Sequence, residues 1–378
     1  MSHFSVLTAV SLPDDLADQI QQIPEQEILA HIMEVAFLTH LQGIPLSLDS
    51  DALSIQPQML LESFVEELVC QRLDPYWEYT QDPKNLEFID CTEQSRHEYE
   101  HSVLDCVRMP NGRILSIYDR EFFHKYEVHE GIIYQMRFGQ LHHRKRTKNA
   151  RHMKLLPDYP ARKLFPTYES FANDCYAYSF EPTRQAWGYY VNPNTKWDWC
   201  SVGDRFPEVF LVPENCQTFI LGNRGYLPKN LFDNPAPAGY RWVAGARKCD
   251  IAWDVMQGWK IHQATEQFHN LEAWYLDGKL PEGTFGLSIT EQGIVQSGAL
   301  VYIKNESLDD YLTRNQCTEA CHWPVSPYAY LSDYGWSEFC DVSACGKENA
   351  DQVWDRMVQE FIAALPEESM LVYVDCHI

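Results

Sequence analysis

The sequence predicts an α+β fold, with an antiparallel or mixed sheet that holds the first and last strands of the chain in its core. Apolar stretches open and close the chain at residues 4–10 and 370–374, amphipathic helices lie beside both, and hairpin signals occupy much of the region between. Helices interleaved with hairpins are typical of this class. We therefore expect a single domain over residues 1–378 with flanking helices and, at 13–72, a helical insertion.

Two amphipathic helices predict the insertion. Each shows apolar residues at helical spacing, and a polar connection separates the two. The first stripe comprises Ile28, Leu29, Ile32, Met33, Ala36 and Phe37, and the second comprises Leu60, Leu61, Phe64, Val65, Leu68 and Val69.

The middle of the chain carries strand and turn signals. Asn111-Gly112 between two apolar runs, 106–109 and 114–118, indicates a tight hairpin, because these residues adopt positive φ readily. Residues 132–138 form another predicted strand, and 285–303 a second hairpin around Gly293.

The strongest helical pattern lies near the carboxyl terminus, between Asn349 as a plausible N-cap and Pro366 as a stop. Its apolar face comprises Val353, Trp354, Met357, Val358, Phe361, Ile362 and Leu365. The final strand follows this helix.

Composition narrows the classes of function. A formal net charge of −24 disfavours general nucleic-acid binding, which needs clustered Lys and Arg, although the basic segment 142–154 contrasts with the rest. That segment could touch nucleic acid or phosphate, or it could lie in solvent or against an acidic face of the same protein. No apolar run is long enough for a membrane span, and the amino terminus lacks signal-peptide features. We expect a cytoplasmic protein whose 12 cysteines are reduced.

The segment 188–206 combines charge with large aromatic side chains. Strand alternation would place Lys196 and Asp198 on one face and Trp197 and Trp199 on the other, with Arg205 nearby. One interpretation is an edge strand with a packed aromatic face and a solvated ion pair. The other is a cleft in which Trp stacks a planar ligand while the cations hold its anionic part.

A second polar cluster follows at 245–256. Arg247 and Lys248 are candidate ligand-binding residues, and Asp250 is a natural N-cap for a helix that begins near Ile251. The capping role is sufficient to explain Asp250.

Four stretches in order resemble one known family: SHFSVL at 2–7, PNTKWDW at 193–199 with Gly203 and Arg205, ARKCDIAWDVM at 246–256, and VDCHI at 374–378. The family consists of uncharacterised proteins associated with bacteriophages and bacterial mobile elements. The resemblance spans nearly all of the chain outside 13–72 and implies one integral fold, but no reaction. The chain departs from the family pattern by Asp204 and Phe206, where Gly and Trp are usual, and by Cys249, where Gly is usual.

The two terminal strands carry candidate catalytic residues. His3 begins the first strand, and Asp375, Cys376 and His377 end the last. If the two strands pair antiparallel, His3 approaches Cys376 and His377. Cys with His is the minimal set for a thiolate nucleophile or a metal ligand pair. The alternative is a buried Cys that acts as a small core residue, next to surface histidines.

A cluster of cysteines in a loop-rich stretch suggests a structural zinc site. The spacing C-x3-C-H followed by C-x4-C could close a tetrahedral site, although it is not a standard knuckle; unrelated reduced thiols are the alternative. The candidate ligands are Cys317, Cys321, His322, Cys340 and Cys345.

The sequence leaves two functions open, and whether the protein is an enzyme stays undecided. Walker, GxGxxG, GxSxG and HExxH motifs are absent. The first function is binding or processing of an anionic small molecule, such as a nucleotide, in a Trp-lined polar cleft. The second is a non-catalytic acidic interaction protein that binds or inhibits a host or defence protein, with 13–72 as its contact surface. These residues could also simply hold a large, irregular core together.

Overall fold

The structure is a computed structural model. The residues that it describes are 2–13, 56–137, 140–222, 235–281, 284, 286–296, 298–315, 317–318, 322–344 and 350–378, with 56–60, 137, 140–144 and 344 described by backbone alone. The predicted helix over 28–37 and the predicted N-cap Asn349 lie outside these residues.

The described chain contains both helices and strands throughout, which confirms the predicted α+β class. The strands are β1 His3–Val10, β2 Glu87–Asp90, β3 Val103–Arg108, β4 Ile114–Ser116, β5 Tyr126–His129, β6 Ile132–Arg137, β7 Gln140–Lys145, β8 Lys154–Pro160, β9 Ser179–Glu181, β10 Ala186–Val191, β11 Trp199–Val202, β12 Phe210–Pro213, β13 Phe219–Ile220, β14 Tyr240–Val243, β15 Gly245–Arg247, β16 Leu287–Thr290, β17 Gly293–Gln296, β18 Ala299–Ile303, β19 Ala329–Ser332, β20 Gly335–Glu338 and β21 Met370–His377. The helices are α1 Gln56–Leu73, α2 Thr92–His101, α3 Arg120–Phe123, α4 Lys148–His152, α5 Ala161–Leu164, α6 Tyr168–Tyr176, α7 Trp253–Asp277, α8 Leu308–Arg314, α9 Phe339–Ala344 and α10 Ala350–Ala364.

Contacts divide the chain into two compact units. Unit 1 comprises 1–78 and 195–378, and unit 2 comprises 79–194. The expectation of a single domain over 1–378, with 13–72 inserted, stays a prediction.

The central sheet of unit 1 is mixed, with the two terminal strands in its middle. The strand order is β13-β15-β21-β1-β19-β20, and β11 also pairs with β21. β1 and β21 are antiparallel along their full length, from His3 opposite His377 to Val10 opposite Met370. β19 runs parallel to β1, which makes the sheet mixed.

Both faces of this sheet are covered, so the sequence of β21 is a continuous run of apolar residues and does not alternate between apolar and polar residues. Leu7 and Tyr373 face a core shared with α10 and the first turn of α7. Val6 and Val374 face the opposite side, where α1 packs. α1 contributes a buried stripe at four-residue spacing. This stripe comprises Leu61, Val65, Val69 and Leu73.

The predicted carboxyl-terminal helix is α10, and Trp354, Val358 and Phe361 on its apolar face are buried. A three-stranded meander of β16, β17 and β18 replaces the single hairpin predicted at 285–303. At its first turn, Gly293 has a φ of +147°, and an added Cβ would lie 1.9 Å from the Tyr302 carbonyl oxygen. Only glycine fits there.

Unit 2 consists of three small sheets with orders β4-β3-β8, β5-β6-β7 and β2-β10-β9. The hairpin predicted around Asn111-Gly112 is confirmed as β3 and β4, with Gly112 at a φ of +87°. In the described parts of both units, every helix is too short or too polar to cross a membrane.

Candidate active site

Three neighbouring strands bring polar side chains together at one end of the central sheet. His3 of β1 lies opposite His377 of β21. On the other side of β21, His377 lies opposite Trp199 of β11. Two residues along, Asp375 lies opposite Ser5. The antiparallel pairing confirms that His3 approaches His377. Because side chains two residues apart in a strand share a face, these residues occupy one patch.

Each imidazole in this patch is paired with a carboxylate. His3 Nδ1 lies 3.0 Å from Oδ2 and 3.2 Å from Oδ1 of Asp375. His377 Nδ1 lies 2.6 Å from Oδ1 of Asp198, the residue just before β11. A carboxylate accepts a hydrogen bond from Nδ1–H, so both rings are held in the tautomer whose Nε2 carries a lone pair.

The two rings also contact one another. Their centroids are 5.0 Å apart at an interplanar angle of 68°. The side chains of His3 and His377 are 19% and 14% exposed, so both can meet a small ligand. Neither Nε2 has a hydrogen-bond partner among the described residues. Two oriented imidazoles with unpaired Nε2 atoms can serve as a general acid and a general base.

Asp375 is the most unusual titratable group of the patch, because its side chain is fully buried. Burial raises the pKa of this carboxyl above its ordinary value. The hydrogen bond from His3 and the charge of Arg205 oppose the shift, and the neighbouring Asp204 adds to it. Burial of the ionised Asp375 carboxylate therefore costs free energy in the folded protein. Buried titratable groups of this kind are common at functional sites.

Replacing Asp375 by Asn should stabilise the protein near neutral pH. A raised pKa in the folded state means that folding favours the protonated Asp375 carboxyl. The stability that this protonation contributes is complete below pH 3.8, the ordinary pKa, and is lost as pH rises through the pKa of the folded state. Asn resembles the protonated acid at every pH. The variant's melting temperature should exceed that of the wild type at pH 7, and the difference should shrink as pH falls toward 3.8. A variant less stable at both extremes would show that the bond to His3 outweighs burial.

A tight turn after β11 positions Arg205. Gly203 and Asp204 have φ angles of +80° and +42°, and the Gly203 N–H donates to the Tyr373 carbonyl at 3.0 Å. Glycine and aspartate tolerate this left-handed conformation better than most residues. The turn is thereby fixed to β21, and Arg205 Nε lies 3.9 Å from Oδ2 of Asp375. Its side chain is 47% exposed and so is available to an anion.

The predicted alternation over 196–199 is wrong. Trp197 is buried, its ring stacks on Trp77 with centroids 5.8 Å apart, and its Nε1–H donates to the Leu73 carbonyl. Trp199 is 46% exposed and lies on the histidine side of β11, with its ring 6.4 Å from that of His3. The two tryptophans face different environments because the strand begins only at Trp199. Trp199 is the one available to stack a ligand.

Lys196 is paired elsewhere. Its Nζ lies 3.3 Å from Oε1 of Glu338, on the edge strand β20. This ion pair joins the segment before β11 to the far edge of the central sheet. An ion-pair role suffices to explain Lys196.

Arg247 and Lys248 lie at the other end of β21. Arg247 is opposite Met370, which is about 23 Å along the strand from His377 at ~3.3 Å per residue. Its guanidinium binds Asp250 at 2.8 Å, whereas Lys248 is buried and donates to the Leu365 carbonyl at 2.8 Å. The structure therefore does not bring this cluster to the histidine patch.

The helix after Asp250 also differs from the prediction. α7 begins at Trp253, and its N-cap position is Ala252. Asp250 closes a short 3-10 turn and accepts the hydrogen bond from Arg247 instead. The predicted capping role is wrong.

Cys376 lies on the opposite face of β21 from Asp375 and His377. It is fully buried, and burial raises the pKa of its thiol far above the usual range. A thiol in that state is a poor nucleophile. Its position matches the alternative interpretation, in which Cys376 is a small core residue.

The candidate zinc ligands are dispersed where they are described. Cys317 is buried in the small core beneath α7 and α8, Cys340 hydrogen-bonds with the Tyr328 hydroxyl at 2.7 Å, and His322 is exposed. Cys321 and Cys345 lie outside the described residues. Within the described part of the chain, no three His, Cys, Asp or Glu side chains are grouped to hold a metal ion.

Sequence reasoning found most of this patch but missed its pairing. Asp198 was expected to hold a ligand, whereas it orients His377. Ser5 was not singled out; its hydroxyl accepts a hydrogen bond from the Tyr328 N–H at 3.0 Å and fixes β19 against β1. No local motif predicts either role, because Asp198 and Ser5 each bind a residue that is distant in sequence.

Comparison with known proteins finds no match among protein-family models, curated proteins or solved structures. The resemblance to mobile-element proteins therefore stays a prediction.

Proposed function

We propose that the patch performs acid–base catalysis on a small phosphate ester, such as a nucleotide. The observation that carries this proposal is the pair of carboxylate-oriented imidazoles, His3 with Asp375 and His377 with Asp198, whose rings lie 5.0 Å apart. Separate carboxylate partners keep each ring fixed while its Nε2 exchanges a proton with a reacting group.

The chemistry needs one neutral and one protonated imidazole. The neutral ring takes a proton from the attacking hydroxyl, as the new oxygen–phosphorus bond forms. The protonated ring gives its proton to the leaving oxygen, as the old phosphorus–oxygen bond breaks. His3 and His377 exchange these roles in the reverse direction, and the rate should follow a bell-shaped dependence on pH.

Charge and shape favour an anionic, planar substrate of small size. Arg205 is about half exposed beside Asp375 and can form paired hydrogen bonds with phosphate oxygens. Trp199, also about half exposed, offers a ring on which a base can stack. The net charge of −24 opposes a long polyanion, so a mononucleotide or short phosphodiester suits the protein better.

Arg205→Ala tests the anion site, and Arg247→Ala is its matched control. Both arginines contact carboxylates, but Arg247 lies at the far end of β21 and binds Asp250 and Glu368. We expect Arg205→Ala to abolish binding of nucleoside monophosphates, measured by calorimetry, with little change in melting temperature. The control should bind normally.

Native and denaturing mass spectra of the purified protein provide the first survey. A mass excess that matches a nucleotide and disappears on denaturation would support the proposal and identify the ligand. Normal nucleotide binding by the Arg205 variant would remove its support. Absence of any bound or turned-over phosphate ester would instead favour the acidic interaction protein.

A further inference from the structure

Unit 2 carries an exposed group of basic side chains around α4, here called the basic strip. Ala150 of α4 and Met153 just after it are buried in a small core that β3, β5, β6 and α3 complete. This anchor leaves the other side of α4 in solvent. The strip consists of Lys145 at the end of β7, Arg146, Lys148 and Arg151 of α4, Lys154 at the start of β8 and Arg108 at the end of β3, and all six are exposed.

Strand pairing brings two members of the strip together. Arg108 lies directly opposite Lys154 in the register of β3 and β8. Like charges that are directly opposite one another in a sheet repel and destabilise the pairing. An anion placed against both side chains would remove this repulsion.

The protein itself does not supply that anion within the part of the chain that the structure describes. There, the charged groups of all six residues are without an ion-pair or hydrogen-bond partner. The sequence from Gln140 to Pro157 also contains no Asp or Glu. The strip therefore does not lie against an acidic face among the described residues, which was one of the alternatives for this segment.

The negative charge that opposes a polyanion belongs to the other unit. Unit 2 has 16 Lys and Arg residues against 15 Asp and Glu, a net charge of +1. Unit 1, which holds the histidine patch, has 14 against 39, a net charge of −25. Charges in solvent act over a Debye length of about 8 Å at physiological ionic strength, so the local excess of cations decides what the strip attracts.

The composition of the strip favours a nucleic-acid duplex over other polyanions. Every exposed residue over 145–154 is polar or charged, whereas Ala150 and Met153 are buried. Stable binding to a bilayer uses apolar side chains that enter it, and protein interfaces are enriched in aromatic residues and depleted in Lys. Single strands stack their bases on aromatic rings. Lys and Arg without apolar or aromatic neighbours suit the phosphates of a duplex, which bind through charge.

We propose that the basic strip binds the phosphate backbone of duplex nucleic acid without sequence preference. Contact with phosphates neutralises the six cations, removes the repulsion between Arg108 and Lys154 and releases counterions from the duplex. The inference does not rest on the proposed phosphate-ester chemistry, because the strip and the histidine patch belong to different units.

Fluorescence anisotropy of a labelled DNA duplex, titrated with the whole protein at several salt concentrations, tests the proposal. The logarithm of the association constant should fall linearly with the logarithm of salt concentration. We expect a slope of about −5, as six cations that each neutralise one phosphate would give. Duplexes of different sequence should bind equally well.

The double variant Arg151→Gln with Lys154→Gln should reduce the steepness of this slope by about 2 and weaken binding by about 10²-fold at about 0.1 M salt. Its control has the same net charge: Arg113→Gln with Arg184→Gln removes two cations of unit 2 that already bind Glu121 and the Phe88 carbonyl. The control should bind like the wild type. So should Arg205→Ala, which removes the proposed anion site of the histidine patch.

Three results would overturn the inference. One is a wild-type protein that does not bind the duplex at about 50 mM salt, where such contacts are strong. Another is a double variant with wild-type affinity. The third is tighter binding to phosphatidylserine vesicles or to polyglutamate than to the duplex, which would assign the strip to a membrane or to an acidic protein.

Melting temperatures control for folding. Lys154→Gln alone should raise the melting temperature at low salt, because it relieves the repulsion from Arg108. Should this variant instead unfold more easily, Lys148→Gln on the exposed side of α4 decides the question: it should reduce the steepness of the salt slope by about 1. An unchanged slope in Lys148→Gln would contradict binding by the strip.

Discussion

Replacing His377 by Ala should lower kcat for a phosphate ester by about 10²–10⁴-fold, the usual contribution of one positioned acid–base group. The imidazole is held 2.6 Å from Asp198, and alanine removes the proton donor or acceptor without disturbing the apolar part of β21. His3→Ala should give a similar loss. The measurement is steady-state turnover of a chromogenic phosphodiester across pH, where each variant should lose one limb of the bell.

His262→Ala is the matched control for that experiment. His262 also lies beside a carboxylate, 3.7 Å from Glu266, but on the exposed surface of α7. It should turn over substrate like the wild type. The double variant His377→Ala with Asp198→Asn should be no slower than His377→Ala alone, because Asp198 acts through the ring. Turnover that is unaffected in both single histidine variants would refute acid–base catalysis at this patch.

The second large effect should appear in stability. Trp197→Ala should lower the free energy of unfolding by about 3–5 kcal/mol, as expected for a large aromatic removed from a core. Trp197 is 6% exposed, whereas Trp199, two residues later, is 46% exposed. Trp199→Ala should therefore change stability by no more than about 0.5 kcal/mol. Urea denaturation of the two variants compares them directly.

The same two variants should differ in nucleotide affinity in the opposite order to their difference in stability. Trp199→Ala should weaken nucleotide binding by about 1–3 kcal/mol, the usual contribution of base stacking. Trp197→Ala should leave affinity nearly unchanged under conditions where it remains folded. Equal stability losses in both variants would show that Trp199 belongs to the core and not to a binding surface.

Much of unit 1 could be predicted because its strands and helices carry strong local patterns. The apolar run of β21 and the helical spacing in α10 identify both elements without tertiary knowledge. The pairing of β1 with β21 followed from the expectation that two buried terminal strands are neighbours. That single assumption predicts that His3 lies near His377, and these two residues are the centre of the candidate site.

The failures arise where tertiary contacts override local pattern. The predicted alternation of side chains over 196–199 is wrong because Trp197 packs in the core against Trp77, which is distant in sequence. Arg247 lies away from the histidine patch because its strand pairs with the opposite end of β21.

The arrangement of the central sheet has a consequence for biosynthesis. His3 and Asp375 hydrogen-bond across 372 positions of sequence, and the whole middle of this sheet depends on such remote pairings. Closure of so long a loop is entropically costly and slow. Unit 2, by contrast, is continuous over 79–194, so its hairpins can form while later residues are still being added on the ribosome. The histidine–aspartate pairs would then assemble last, and a nascent or truncated chain that lacks β21 would lack the proposed acid–base activity.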